Sequence, residues 1–83
     1  MRLVIHLKCT QHENLQRLLL LTDDSILVED VTTRSNNDSN NFWGMRLENN
    51  NWLGDNWLGK IWMEERTFWK QEKLKIKKSK PLF

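Results

Sequence analysis

A mostly helical α+β fold is what this sequence predicts, and three observations predict it. Leu15, Leu18, Leu19 and Thr22 stand at i, i+3, i+4 and i+7, the spacing of one face of an amphipathic helix. Trp57, Ile61 and Phe68, with Leu58, Trp62 and Trp69 beside them, form a second and longer apolar stripe at helical period. Between the two lie one short aliphatic run and two asparagine-rich stretches, the material of a strand and of loops.

In chain order, Leu3, Val4, Leu7 and Lys8 give a first, weak helical pattern. The leucine-rich helix follows, with His12 or Asn14 as its cap and an end near Thr22, Asp23 and Asp24, where turn formers cluster. Ile26, Leu27 and Val28, closed off by Glu29 and Asp30, are long enough for one buried strand. Residues 32–41 are almost wholly polar; their side chains compete for backbone hydrogen bonds, so a solvated loop is expected. Phe42, Trp43 and Gly44 come next, and a second loop over residues 48–51 leads to Trp52, Leu53 and Gly54. The final helix starts at Asn56, with Lys60, Glu64, Arg66 and Lys70 on much of its other side and Lys60 with Glu64 as an i, i+4 pair. Its support thins after Glu72, and Pro81 bars a regular helix through the end. The triplet Trp-Leu-Gly at 52–54 recurs at 57–59, a single repetition and far short of an array.

With 83 residues the chain holds at most one domain. A chain of this size buries only about 60% of the surface its unfolded form exposes, so its core is marginal without other support. The longest aliphatic run, Leu18 to Leu21, is far from the roughly 20 residues of a membrane-spanning helix, and residues 1–6 lack the pattern of a signal peptide. A membrane is therefore not expected as a partner. One cysteine, Cys9, excludes an intrachain disulfide and fits a reducing compartment; a cytoplasmic location is expected. Cys9 reads as a small core residue, since catalytic use needs a base and only His6 and His12 are at hand. Neither histidine has a nucleophile and acid at a recognisable spacing, and no Cys/His cluster has zinc spacing. The net charge of +2 is too small to specify a partner. Positive charge concentrates at residues 70–80; such a run is usually a solvated tail, the alternative being nucleic-acid contact or a nuclear address. Nucleic acid is not the expected partner.

Three ordered segments carry a family resemblance. The first runs from Lys8, Cys9, Thr10, Gln11 and His12 into the leucines ending at Thr22. The second is Asp24, Ser25, Ile26, Leu27, Val28, Glu29 and Asp30. The third is Phe42, Trp43 and Gly44, then Gly54, Asp55, Asn56, Trp57, Leu58, Gly59, Lys60, Ile61, Trp62, Met63, Glu64, Glu65 and Arg66. Together they resemble the C-terminal half of NADAR (YbiA-like) proteins. There the order is K-F-x-Q-(N/H), a leucine-rich helix, T-G-D-x-x-L-V-E, D-x-F-W-G and G-x-N-x-L-G-x-x-L-M-x-x-R. The match spans residues 1–66. It divides the chain into the C-terminal part of a NADAR-like domain over 1–69 and a basic tail over 70–83.

The resemblance implies a partial domain whose ancestral activity is hydrolysis of N-glycosidic bonds in nucleotide-like substrates. These are phosphoribosyl pyrimidine intermediates of riboflavin synthesis or ADP-ribosyl guanine. Water is the second substrate, and no cofactor or metal is implied. Two departures argue against activity of this chain alone. The family's S-E-H-x-x-Q motif, with its catalytic glutamate, has no counterpart here, and Asn40 stands where the family has an aspartate. An amide keeps the shape of that acid but cannot carry its charge. If the segment is extended, Asp38 points to the same side as Asn40 and is a partial substitute. Asp23 also replaces the glycine of the T-G-D turn.

The expected site is thus Asn40 at the degraded acid position, Trp43 as a stacking wall, and Gly44, Gly54 and Asn56 as substrate-binding backbone. Each has a plainer reading. Trp43 is equally a tryptophan anchoring a loop. Gly54, Asn56 and Gly59 either frame a phosphate at a helix N-terminus or give a capped entry with close backbone approach, the favoured reading. Arg66 pairs with a phosphate or, preferably, with a carboxylate such as Glu29 or Glu65. The expected partners are ADP-ribose or a phosphoribosyl compound and a complementing protein chain; a non-catalytic ADP-ribose-binding module, or a fragment docking onto a partner, is the alternative function.

Overall fold

The protein, in a computed structural model, is described over residues 1–79, with side chains through residue 75. The order of elements is α1 (Arg2–Gln11), α2 (Glu13–Leu21), α3 (Asp38–Trp43), β1 (Arg46–Glu48), β2 (Asn51–Leu53) and α4 (Trp57–Ser79). This is the mostly helical α+β architecture expected from the spacing of the apolar residues. Pro81 lies outside the described residues. α4 runs without a break past residue 69, where the basic stretch begins.

Two helices come from the N-terminal stretch because His12 leaves helical geometry at φ −127° and ψ 94°. Its carbonyl accepts from the N–H of Leu15 and Gln16, so α2 starts on backbone bonds with no side-chain cap. At the other end of α2, Asp23 adopts φ 51°. That left-handed geometry favours glycine, and aspartate tolerates it better than most residues.

Helices α1, α2 and α4 meet around Ile5, Cys9, Leu19 and Ile61, with Leu15, Leu27, Trp43, Leu58, Trp62 and Trp69 packed against that cluster. Full burial of one aliphatic side chain contributes about 1.5–3 kcal/mol, so four small centres make a thin core. Polar ties between the helices supplement it. Arg2 donates to Glu64 from Nε at 2.7 Å and Nη2 at 3.1 Å. Glu65 Oε1 lies 2.8 Å from His6 Nδ1 and accepts from Trp69 Nε1 at 2.7 Å. Lys70 reaches Asp23 and Asp24 at the end of α2. The expected Lys60–Glu64 pair does not form: Glu64 is taken by Arg2, and Lys60 lies over the Trp57 ring, 5.2 Å from its centroid.

Three expectations about the middle of the chain are corrected. Ile26, Leu27 and Val28 are extended but are not a buried strand; Ile26 is 80% exposed. The backbone of this segment is paired by a side chain instead. Asn56 Oδ1 accepts from Glu29 N–H at 3.0 Å, and Asn56 Nδ2 donates to the Leu27 carbonyl at 2.8 Å. Only an isolated parallel bridge, Asp30 to Met45, continues it. The polar loop over 32–41 ends early, because Asn37 caps α3 by accepting from Asn40 N–H at 2.8 Å and Asp38 supplies a negative charge to the first turn. Residues 48–51 are the tip of a hairpin, pairing Glu48 with Asn51, Leu47 with Trp52 and Arg46 with Leu53. Asn49 and Asn50 at φ 49° and 64° supply the two positive φ values of a tight hairpin turn.

Candidate functional site

The expected site residues all lie where α3, the hairpin and the start of α4 converge. The carbonyls of the α3 end hold the loop that leads into α4. Asn40 O accepts from Gly44 N–H at 2.9 Å, Asn41 O from Asp55 N–H at 2.8 Å, and Gly44 O from Asn56 N–H at 3.1 Å. Glycine is required twice by this stitching. A Cβ on Gly44 would run into the Glu29 carbonyl oxygen and stand 2.6 Å from Val31 Cγ1. Gly54 combines φ +131°, open only to glycine, with a Cβ position 2.5 Å from the Gly44 oxygen.

Trp43 is half-buried against the core. It borders a cavity of about 370 Å³ whose other walls include Arg2, Leu3, Phe42, Trp57 and Ile61. Phe42 meets Trp43 edge-on at 4.8 Å between centroids and stacks on Trp57 at 5.8 Å and 29°. The Arg2 guanidinium lies 6.0 Å from the Trp57 centroid, so two cations, Arg2 and Lys60, flank that ring. Indole faces beside positive charge are suited to planar, anionic ligands. Trp57 and Phe42 are the wall residues that sequence reading missed. Trp57 belongs to the apolar stripe of α4, yet it is 36% exposed; its neighbouring Lys60, one turn along, is the available signal.

Asn40 does not face free solvent as a stand-alone amide. Its Nδ2 donates to the Ser35 carbonyl at 2.8 Å, an oxygen that also accepts from Arg46 Nη2 at 2.9 Å. Arg46 is 7% exposed and further donates to the carbonyls of Thr32 and Arg34, both at 2.8 Å. Arg46 thus folds the 32–35 loop onto the hairpin and fixes the oxygen to which Asn40 binds. Nothing in the spacing of residues pointed to Arg46. Asp38 does not share a side with Asn40: the segment is helical, and a two-residue step turns about 200°.

Asn56 is 5% exposed with φ +53°, and both polar atoms of its amide are committed to Leu27 and Glu29. It stands at the head of α4, where its own carbonyl accepts from Lys60 N–H, but its side chain ties the 27–29 segment and not the helix N-terminus. Arg66 is structural as favoured, though its partners are the Thr22 hydroxyl at 2.9 Å and the Ser25 carbonyl at 2.8 Å, not a carboxylate. Glu29 pairs with Arg34 at 3.3 Å. Cys9 is fully buried, and burial pushes its thiol pKa up, so it is held as the neutral thiol. The Thr32 hydroxyl and N–H hold Asp30 below the usual carboxylate range. Among the described residues no group of three His, Cys, Asp or Glu could hold a metal ion, and no helix is long and apolar enough to cross a membrane.

Neither a curated protein nor a solved structure matches the chain. The family model of the NADAR domain matches residues 1–70. That range takes in α1 to α3, the hairpin and the part of α4 that bears Trp57, Arg66 and Lys70. It covers most of the 83 residues, and the chain therefore belongs to the NADAR domain family.

Proposed function

We propose that these 83 residues form the wall-bearing, C-terminal part of a domain whose ancestral activity is hydrolysis of N-glycosidic bonds in nucleotide-like substrates, ADP-ribosyl guanine or phosphoribosyl pyrimidines, and that they bind such ligands without cleaving them alone. One observation carries this reading. The cavity beside Trp43 is lined by three aromatic rings and a guanidinium but by no carboxylate. The rings suffice to hold a base, while Arg2, bound to Glu64 through Nε and Nη2, has Nη1 left to offer a phosphate. Glycosidic cleavage asks for more, because its transition state is oxocarbenium-like and is commonly served by two carboxylates, one protonating the leaving group and one activating water or the sugar carbon. Asn40, at the acid position of the family pattern, is neutral, and its amide is engaged with Ser35. On this reading the acid is contributed by residues outside this chain.

The test is calorimetry and turnover on the purified chain. ADP-ribose should bind with saturable heat, Trp43→Ala should abolish that heat, and ADP-ribosylated guanosine should release no ADP-ribose. Turnover by the chain alone would overturn the catalytic half of the reading, and absence of heat up to millimolar ligand the binding half.

A second observation favours a complementing chain. An apolar cleft of about 280 Å³ lies between α2 and the start of α4, bordered by Leu15, Leu18, Leu27, Val28 and Trp62. Leu18, in its lining, is 62% exposed, and Leu21 and Ile26, close by in sequence, are each 80% exposed. Apolar surface of this kind is suited to burial against protein. A monomer whose sedimentation is independent of concentration and of added partner segments would count against it.

A further inference from the structure

We propose that the C-terminal end of α4 binds the phosphate backbone of duplex DNA, without regard to base sequence. Charge is divided unevenly along the chain. Residues 1–70, the part that the NADAR family model matches, hold eight basic and ten acidic side chains, whereas residues 71–83 hold five basic and one acidic, Glu72. The excess of positive charge therefore belongs to the end alone, and a polyanion is drawn there and not to the rest of the chain. The structure makes this end a helix. α4 continues to Ser79, and among the described residues Trp69 is the last of its side chains packed on the core cluster. Beyond Trp69 the helix runs on for about three turns. It carries Lys70, Lys73, Lys75, Lys77 and Lys78 there, and Leu74 is 56% exposed.

The placement of the lysines selects the partner. Lys70 is committed to Asp23 and Asp24, and Lys75 lies 3.2 Å from Glu72, so the excess charge rests on Lys73, Lys77 and Lys78. At about 100° per residue, positions 73, 75, 77 and 78 span about 200° of the helix circumference. Lys73 with Lys77 at i, i+4 and Lys75 with Lys78 at i, i+3 are like-charge pairs that oppose helix formation, and an external polyanion relieves that opposition. An anionic membrane suits the stretch poorly: its two aliphatic positions, 74 and 76, are about 200° apart and make no apolar face to enter the lipid. Single strands are held largely by stacking on aromatic rings, and residues 71–79 contain none. The major groove of duplex RNA is deep and narrow, whereas that of B-form DNA, about 12 Å wide, admits a helix with phosphates on both of its flanks. Lysine over more than half of the circumference fits that position, and lysine contacts to phosphate carry no sequence information. The inference does not rest on the proposed N-glycoside chemistry.

The experiment is fluorescence anisotropy of a labelled, mixed-sequence DNA duplex titrated with the 83-residue chain at several salt concentrations. Three phosphate contacts give a log–log slope of about −2.7, so affinity should fall about 40-fold between about 50 and 200 mM salt, and by the same factor for an unrelated sequence. Each of Lys73→Gln, Lys77→Gln and Lys78→Gln should reduce that slope by about one, and the triple variant should bring it close to zero. The triple variant should keep the parent's melting temperature, because all three positions lie beyond Trp69, the last residue of α4 packed on the core cluster among the described residues. No binding at the lowest salt, a slope unchanged in the triple variant, or tighter binding to phosphatidylserine vesicles or to single-stranded DNA than to the duplex would each overturn the proposal.

Discussion

Arg46 and Asn40 meet at a single atom, the carbonyl oxygen of Ser35, which accepts from Arg46 Nη2 at 2.9 Å and from Asn40 Nδ2 at 2.8 Å. Asn40 is therefore oriented by a buried arginine. It is also held there by a donor that an ionised aspartate does not possess.

Removing the arginine should loosen the whole 32–40 segment. Arg46→Ala leaves the Thr32 and Arg34 carbonyls without that donor and Ser35 with Asn40 alone, and we expect a loss of about 2–4 kcal/mol in urea unfolding. Arg46→Lys keeps the charge but cannot reproduce the fork, so it should recover less than half of that loss. In both variants the Asn40 side-chain amide signal should shift towards its solvent-exposed position.

A carboxylate at position 40 should destabilise the chain. Asn40→Asp places a carboxylate against the Ser35 oxygen and should cost about 1–2 kcal/mol at pH 7. Repulsion from that oxygen raises the carboxyl pKa in the folded state above its unfolded value. The deficit relative to the parent chain should therefore shrink as pH falls through that folded pKa and the acid regains a proton to donate. Urea midpoints at neutral and acid pH give the comparison, and the variant should show no turnover on its own.

Asn56 is the residue whose loss should be felt furthest along the chain. Asn56→Ala leaves the Glu29 N–H and the Leu27 carbonyl unpaired and puts alanine at φ +53°. A cost of about 2–4 kcal/mol is expected. Asn56→Gly relieves the backbone strain but lacks the same two bonds, so the difference between the two variants measures the φ contribution by thermal melting.

Acid should weaken the ties between helices. Lys70 holds Asp24 below the ordinary carboxylate range, Arg2 does the same to Glu64, and Thr32 to Asp30. A depressed folded pKa contributes stability above the unfolded pKa and loses it as pH falls through the folded value. The melting temperature should therefore hold from neutral pH to the ordinary carboxylate range near 4 and decline below it. These groups are exposed, so the effect is small and salt should reduce it. Asp24→Asn should flatten the acid decline without changing the melt at high salt.

The helices were legible because Leu15, Leu19, Ile61 and Trp62 repeat at the helical period, and packing of an apolar face is what that period encodes. The hairpin was not, because Leu47, Trp52 and Leu53 are all exposed and its one buried residue, Arg46, is charged; its signal was the Asn-Asn turn, which composition alone reads as loop. Ile26 to Val28 looked like a strand since aliphatic runs usually pair with backbone, whereas here the partner is one amide side chain. Trp43 and the glycines were located by motif register. Arg46, Phe42 and Trp57 became visible only when chain separation was collapsed by folding.

The Asn56 clasp has a consequence for how the chain opens. It joins residues 27 and 29 positions apart in sequence, so no local fluctuation of α4 or of the extended segment releases it without separating both. The Glu29 amide proton should then exchange with solvent only when the protein opens globally, and its slow exchange would report the lifetime of the whole fold from a segment that is not itself a strand.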